Sequence, residues 1–120
     1  TLFVAQARGA MALLRWLDAL PANVRIRQVV LLACNADYQP GRANTGGFYE
    51  SPLDYASLQQ KCLSITFIHS SDDPFVPIDA AGTLARNLNA TFVAYENLGH
   101  FGNDTITAPA VLPLLKLPPV

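Results

Sequence analysis

Charge is scarce in this chain. Asp, Glu, Lys and Arg make up only 14% of its 120 residues, and they nearly cancel to a net charge of −1. The basic residues are scattered, so no patch marks a surface for nucleic acid or an anionic membrane. Cysteine is scarce as well. Cys34 and Cys62 are too few for a disulfide framework and read as two free, buried thiols of a reducing compartment, so the expected location is cytoplasmic. No apolar run approaches the length that spans a bilayer. No signal-peptide pattern opens the chain. No Gly-x-Gly-x-x-Gly or P-loop pattern follows an apolar run, which argues against a nucleotide binder, and no cofactor or metal is expected.

What remains is apolar. The hydrophobic share is 51%, enough for one globular piece with a modest core. Leu2 to Ala5 reads as a buried strand already under way at the first residues, so the chain is expected to start in mid-fold. A helix follows from Arg8 to Leu20, with Ala10, Leu13, Leu14, Leu17 and Leu20 at helical spacing and Pro21 ending it. Trp16 is expected to pack on the flank of the core. Val29 to Ala33 is a second strand, almost wholly apolar, as parallel strands covered on both faces are. Residues 39 to 52 are rich in Gly, Pro, Asn and Ser and form a loop; Phe48 and Tyr49 are either pocket-lining or surface anchors. Pro52 to Lys61 is expected to be a short helix with Ser51 as N-cap. Strands are expected over Leu63 to Ile68 and Thr91 to Tyr95, with a helix from Ala80 to Leu88 capped by Asp79 between them. Pro109 opens a last helix. This alternation means α/β: a mainly parallel sheet of about four strands flanked by helices on both faces.

The most informative stretch is Ile65 to Pro77. A β-rich run breaks into Asp72-Asp73, and Pro74 and Pro77 stop the strand. The next strand is followed by Gly99-His100-Phe101-Gly102. Parallel strands deliver such residues to one carboxyl edge, where chemistry collects in open α/β sheets. An acid and then a histidine, 27 positions apart, follow the order of the second half of a Ser…Asp…His triad. His69 reads as a strand-end packing residue.

Gly46-Gly47-Phe48-Tyr49-Glu50, Leu53-Asp54-Tyr55, Cys62, His69-Ser70-Ser71-Asp72-Asp73-Pro74-Phe75-Val76-Pro77 and Gly99-His100-Phe101-Gly102 together resemble the small serine hydrolases of the α/β-hydrolase superfamily similar to retinoblastoma-binding protein nine and its bacterial relatives. The resemblance is most specific from residue 46 to 103 and weaker, but in register, from 1 to 37. It implies Asp73, the residue before the proline, as triad acid and His100 as base, with Asp72 a turn residue or a hydrogen bonder to the site. His100 would take the nucleophile's proton and Asp73 would hold the imidazole in the right tautomer. Gln6, Phe75 and Phe101 are the expected substrate contacts, and the substrate would be a small ester, thioester or amide.

One departure matters. The family's nucleophile sits in a Gly-x-Ser-x-Gly elbow between strand and helix. Here that segment is Ala5-Gln6-Ala7-Arg8-Gly9, so the nucleophile position is Ala7, and a methyl group cannot attack a carbonyl. The Arg8 backbone N–H could still serve an oxyanion hole, whose second donor would come from a loop after an earlier strand. The expected function is an esterase-like serine hydrolase scaffold that is inactive as written, through an introduced change or natural loss. The alternative is a non-catalytic binding or interaction module on the same fold. The four strands resemble strands 5 to 8 of the superfamily, so residues 1–120 are expected to be one partial domain without its N-terminal strands. The edge at Leu2 to Ala5 would then pair with a missing N-terminal segment or a second chain.

Overall fold

The computed structural model describes residues 2–34 and 53–97. Within them the order is β1 (Leu2–Gln6), α1 (Arg8–Ala19), β2 (Gln28–Leu32), α2 (Tyr55–Lys61), β3 (Ile65–Ser70), α3 (Ile78–Asn87) and β4 (Thr91–Tyr95). The four strands form one sheet in the order β1-β2-β3-β4, and every pair is parallel. The fold is therefore α/β.

The strand patterns follow from position. β2 lies between two neighbours and is buried along its whole length. Val29, Val30, Leu31 and Leu32 are all in the core, each worth about 1.5–3 kcal/mol of burial. β1 and β4, the edges among the described residues, are more open, and Val4 is 48% exposed. Side chains alternate between faces. Val29, Leu31, Ile65 and Phe67 join one cluster with residues of α1, α2 and α3, while Val30, Leu32 and Ile68 form a second with Leu2, Val93 and Tyr95. Among the described residues the three helices thus cover one face. The loop at 39–52 and the helix expected from Pro109 lie outside those residues.

α1 forms as its spacing predicts. Ala10, Met11, Leu14 and Leu17 are fully buried, and Leu13 and Leu20 pack at the margin. Met11 completes the i, i+3 stripe and belongs to the core alongside the expected positions. Trp16 stays half exposed and meets Phe3 edge to face at 5.6 Å. The C-terminal carbonyls of α1 are satisfied from a distance. The buried Lys61 donates from Nζ to Leu17 O at 3.0 Å and Asp18 O at 2.8 Å, placing a cation at the negative end of the helix.

Three elements differ from the sequence reading by two residues or more. α2 begins at Tyr55, not Pro52; Asp54 is its N-cap and accepts from Ser57 N at 3.0 Å. Ser51 and Pro52 lie outside the described residues. β3 runs from Ile65 to Ser70, two residues later than expected, and Leu63 is 69% exposed. Leu63 and Ser64 continue the alternation of Ile65, Thr66 and Phe67, so the pattern does not mark where the strand begins. α3 begins at Ile78 with Pro77 at the cap position, so Asp79 lies in the first turn rather than capping it. A carboxylate there still favours the positive end of the helix.

Candidate active site

The register fixes what meets at the carboxyl edge. Gln6 pairs with Leu32, and Leu32 with Ile68. The ladder continues one residue further, with Ala7 N donating to Leu32 O at 2.8 Å and Ala33 N to Ile68 O at 3.0 Å. Ala7 is thus level with Ala33 and His69. Two interstrand spacings separate the β1 and β3 backbones, about 10 Å. The turn after β3, which carries Asp73, lies on the same edge as Ala7.

Ala7 stands between the last residue of β1 and the first of α1, at φ 54° and ψ −125°. This backbone is outside the regions open to residues with a Cβ and is sparsely populated even among positive-φ residues. It is the geometry of a sharp strand-to-helix elbow. Ala10 N donates back to Ala7 O at 3.0 Å, which closes the first turn of α1. No side chain caps this helix and no acid lies in its first turn. Its positive end therefore faces the carboxyl edge without a resident carboxylate from its own first turn, an arrangement suited to an anion or oxyanion. The side chains of Gln6 and Arg8, on either side of Ala7, are exposed.

The acid turn is tightly knit. Ser71 N donates to Tyr95 O at 2.8 Å and Asp73 N to Ser70 O at 3.2 Å. Ser70 Oγ donates to Asp72 Oδ1, so the first aspartate is held within the turn. Asp73 Oδ1 accepts from Phe75 N at 2.8 Å and from Val76 N at 3.0 Å. The Asp73 side chain is fully buried, whereas Asp72 is exposed. The two adjacent carboxylates thus have different environments, and the one before the proline is the one held inside. Phe75 is 67% exposed beside it. His100 and Phe101 lie outside the described residues, so of the expected acid–base pair only the acid has a described position.

The sequence reading gave His69 a packing role, and the structure buries it completely. It adds a hydrogen bond that no spacing shows: His69 Nε2 lies 2.9 Å from Val76 O. Cys34 and Cys62 are buried thiols with no disulfide between them, as expected. Burial pushes the Cys62 thiol above its ordinary pKa, and the nearby Lys61 charge opposes this in part. Among the described residues, no group of three or more His, Cys, Asp or Glu could hold a metal. Two concavities lie away from the carboxyl-edge residues. One of about 420 Å³ runs along α3 to Phe92, and one of about 280 Å³ lies beside Cys62, Ser64 and Asn89. Neither is lined by Ala7 or Asp73, so the candidate site rests on backbone geometry rather than enclosed volume.

A model of the serine hydrolase family matches residues 1–108. The chain belongs to the serine hydrolase family. It is 24% identical over 103 residues to the serine hydrolase RBBP9 of Rattus norvegicus, covering 86% of this chain and 54% of that protein. It is 26% identical over 104 residues to the hydrolase YdeN of Bacillus subtilis, covering 87% of this chain and 55% of the relative. The crystal structure of the B. subtilis ydeN product superposes with a TM-score of 0.75 at 26% identity, over 84% of this chain and 54% of that one. The esterase domain of a Rhodothermus marinus protein shares the fold, with a TM-score of 0.65 at 17% identity over 92% of this chain and 55% of that domain. This member of the serine hydrolase family is thus of the α/β-hydrolase type, and it spans about half the length of the curated relatives it matches.

Proposed function

We propose that this serine hydrolase carries the C-terminal part of an esterase-like scaffold, with Ala7 at the nucleophile position, Asp73 as triad acid, His100 as base and the Arg8 N–H as an oxyanion donor. The observation that carries the reading is the backbone of Ala7. An alanine held at φ 54° and ψ −125° between a strand and a helix keeps the elbow and lacks only the hydroxyl. The family match, and coverage of little more than half of each relative, support reading residues 1–120 as a partial domain.

With serine at residue 7, the hydroxyl oxygen would attack the carbonyl carbon of a small ester, thioester or amide while His100 takes its proton. The tetrahedral oxyanion would lie at the N-terminus of α1 against the Arg8 N–H. Collapse would expel the alcohol, thiol or amine, which takes the proton from His100, and water would then release the acyl group by the same steps reversed. Asp73 would orient His100 throughout, with Gln6, Phe75 and Phe101 beside the substrate. The methyl of Ala7 can do none of this, so the protein as written is inactive.

The test is Ala7→Ser in the complete folded protein. Losing a triad serine costs about 10⁶-fold in turnover, so restoring it should bring labelling by a fluorophosphonate at residue 7 and hydrolysis of an activated ester well above the parent. A folded Ala7→Ser protein that takes no label refutes the reading. The methyl itself favours one other function, a binding module that keeps the pocket and holds a ligand near Asp73. That reading predicts ligand binding with no activity gained on Ala7→Ser.

A further inference from the structure

We propose that His69 is the positioning residue of the acid turn: its Nε2–H ties the turn's far end to β3 and fixes how the Asp73 carboxylate is presented. This rests on the reading of Asp73 as triad acid. The sequence reading gave His69 no role beyond packing.

His69 is the penultimate residue of β3 and pairs with Ala94 of β4, so its backbone is fixed on both sides of the turn's base. Its ring is fully buried and stacks on Phe92, with centroids 6.4 Å apart and planes 25° from parallel. Nε2 lies 2.9 Å from Val76 O. A carbonyl only accepts, so Nε2 carries a proton, and in the neutral imidazole Nδ1 is then the bare nitrogen. Nδ1 is buried and has no partner among the described residues. An unsatisfied buried acceptor is destabilising, whereas a phenyl ring would fill the space without that cost. What histidine supplies and phenyl does not is the donor to Val76.

That donor acts on the acid through a closed circuit. Val76 gives its carbonyl to His69 and its N–H to Asp73 Oδ1, which also takes the Phe75 N–H. Holding Val76 therefore holds both amides against Oδ1. Oδ2 is 3.8 Å from His69 Nε2, beyond hydrogen-bond reach. The imidazole thus fixes the carboxylate's orientation without occupying its second oxygen. A directly bonded His69 would compete with the base for that oxygen; one bonded to Val76 O does not.

Two measurements on the chain as it stands test this, and neither depends on activity. A long-range proton–nitrogen correlation spectrum should show His69 protonated on Nε2 and bare on Nδ1; the opposite tautomer overturns the proposal. Amide exchange should then separate His69→Phe from His69→Gln, since only the carboxamide can donate to Val76 O. In His69→Phe the Phe75 and Val76 amides should exchange about tenfold faster relative to those of β2, the loss of roughly one hydrogen bond. In His69→Gln they should stay within about threefold of the parent. Equal protection at both amides in the two variants would mean that the ring only fills space, and the proposal fails. If His69→Phe does not fold, the tautomer decides. An Ala7→Ser protein without activity would refute the nucleophile reading and leave all these results unchanged.

Discussion

Replacing Ala7 by glycine should stabilise the protein, although it removes an atom. The reason lies in the backbone at φ 54° and ψ −125°, where a Cβ is strained. A non-glycine residue held in such a region costs about 1–3 kcal/mol. Glycine removes that cost but adds freedom to the unfolded chain, worth about 0.4–1 kcal/mol in the other direction. Losing the largely buried methyl subtracts about 0.5 kcal/mol more, the greater part of the ~0.8 kcal/mol of a fully buried one. At the middle of these ranges the balance is a gain of about 1 kcal/mol, a rise of roughly 4 °C in Tm for a chain of this size. Urea melts with a shared m-value, checked against thermal melts, would measure it. Ala7→Val provides the opposite arm, because a β-branched residue fits positive φ worst, and it should lose at least about 1 kcal/mol. A glycine variant less stable than the parent by about 1 kcal/mol, or a valine variant equal to it, would refute the claim that residue 7 is strained, and the preserved elbow with it.

Three further outcomes follow from the packing. Cys62 is harder to ionise in the fold than its ordinary value of 9.0. Both states keep the proton well below pH 9; as pH rises through the unfolded value only the unfolded chain ionises, so this residue's contribution is lost up to its raised folded pKa. The difference in urea midpoint between the parent and Cys62→Ala should therefore shrink from pH 8 to pH 10.5, a range of about that width being set by the ordinary thiol pKa. Lys61→Ala, which strips two charge-assisted hydrogen bonds from the end of α1, should cost about 2 kcal/mol by denaturant titration, and Lys61→Met less, since it keeps the buried stem and carries no charge to desolvate. Asp54→Ala removes the cap of α2 and should cost about 1 kcal/mol, with Asp54→Asn close to the parent.

The elements that could be read from sequence are those whose signal is local. α1 was legible because its apolar stripe repeats at helical spacing and Pro21 ends it, and β4 because a β-rich run stands between two polar turns. Boundaries failed where two signals competed. Ser51-Pro52 reads as the helix start, but α2 is capped by Asp54, whose carboxylate Ser57 N reaches. Leu63 reads as strand on hydrophobicity, yet it precedes the paired residues and faces solvent. At the candidate site, motif order pointed to residues 7 and 73, and the sheet register puts their turns on one edge. The positive φ of Ala7 could not be read from its side chain, because alanine carries no mark of that conformation. The His69–Val76 bond was equally hidden: it crosses a turn, and its donor had every attribute of a packing residue.

Order along the chain and order across the sheet coincide here, which sets how the molecule bears loss. Removing β4 would leave three adjoining strands paired, whereas removing β2 would separate β1 from β3 and β4 in the sheet. Among the described residues, tolerance to substitution should accordingly be greater along β4 than along the wholly enclosed second strand.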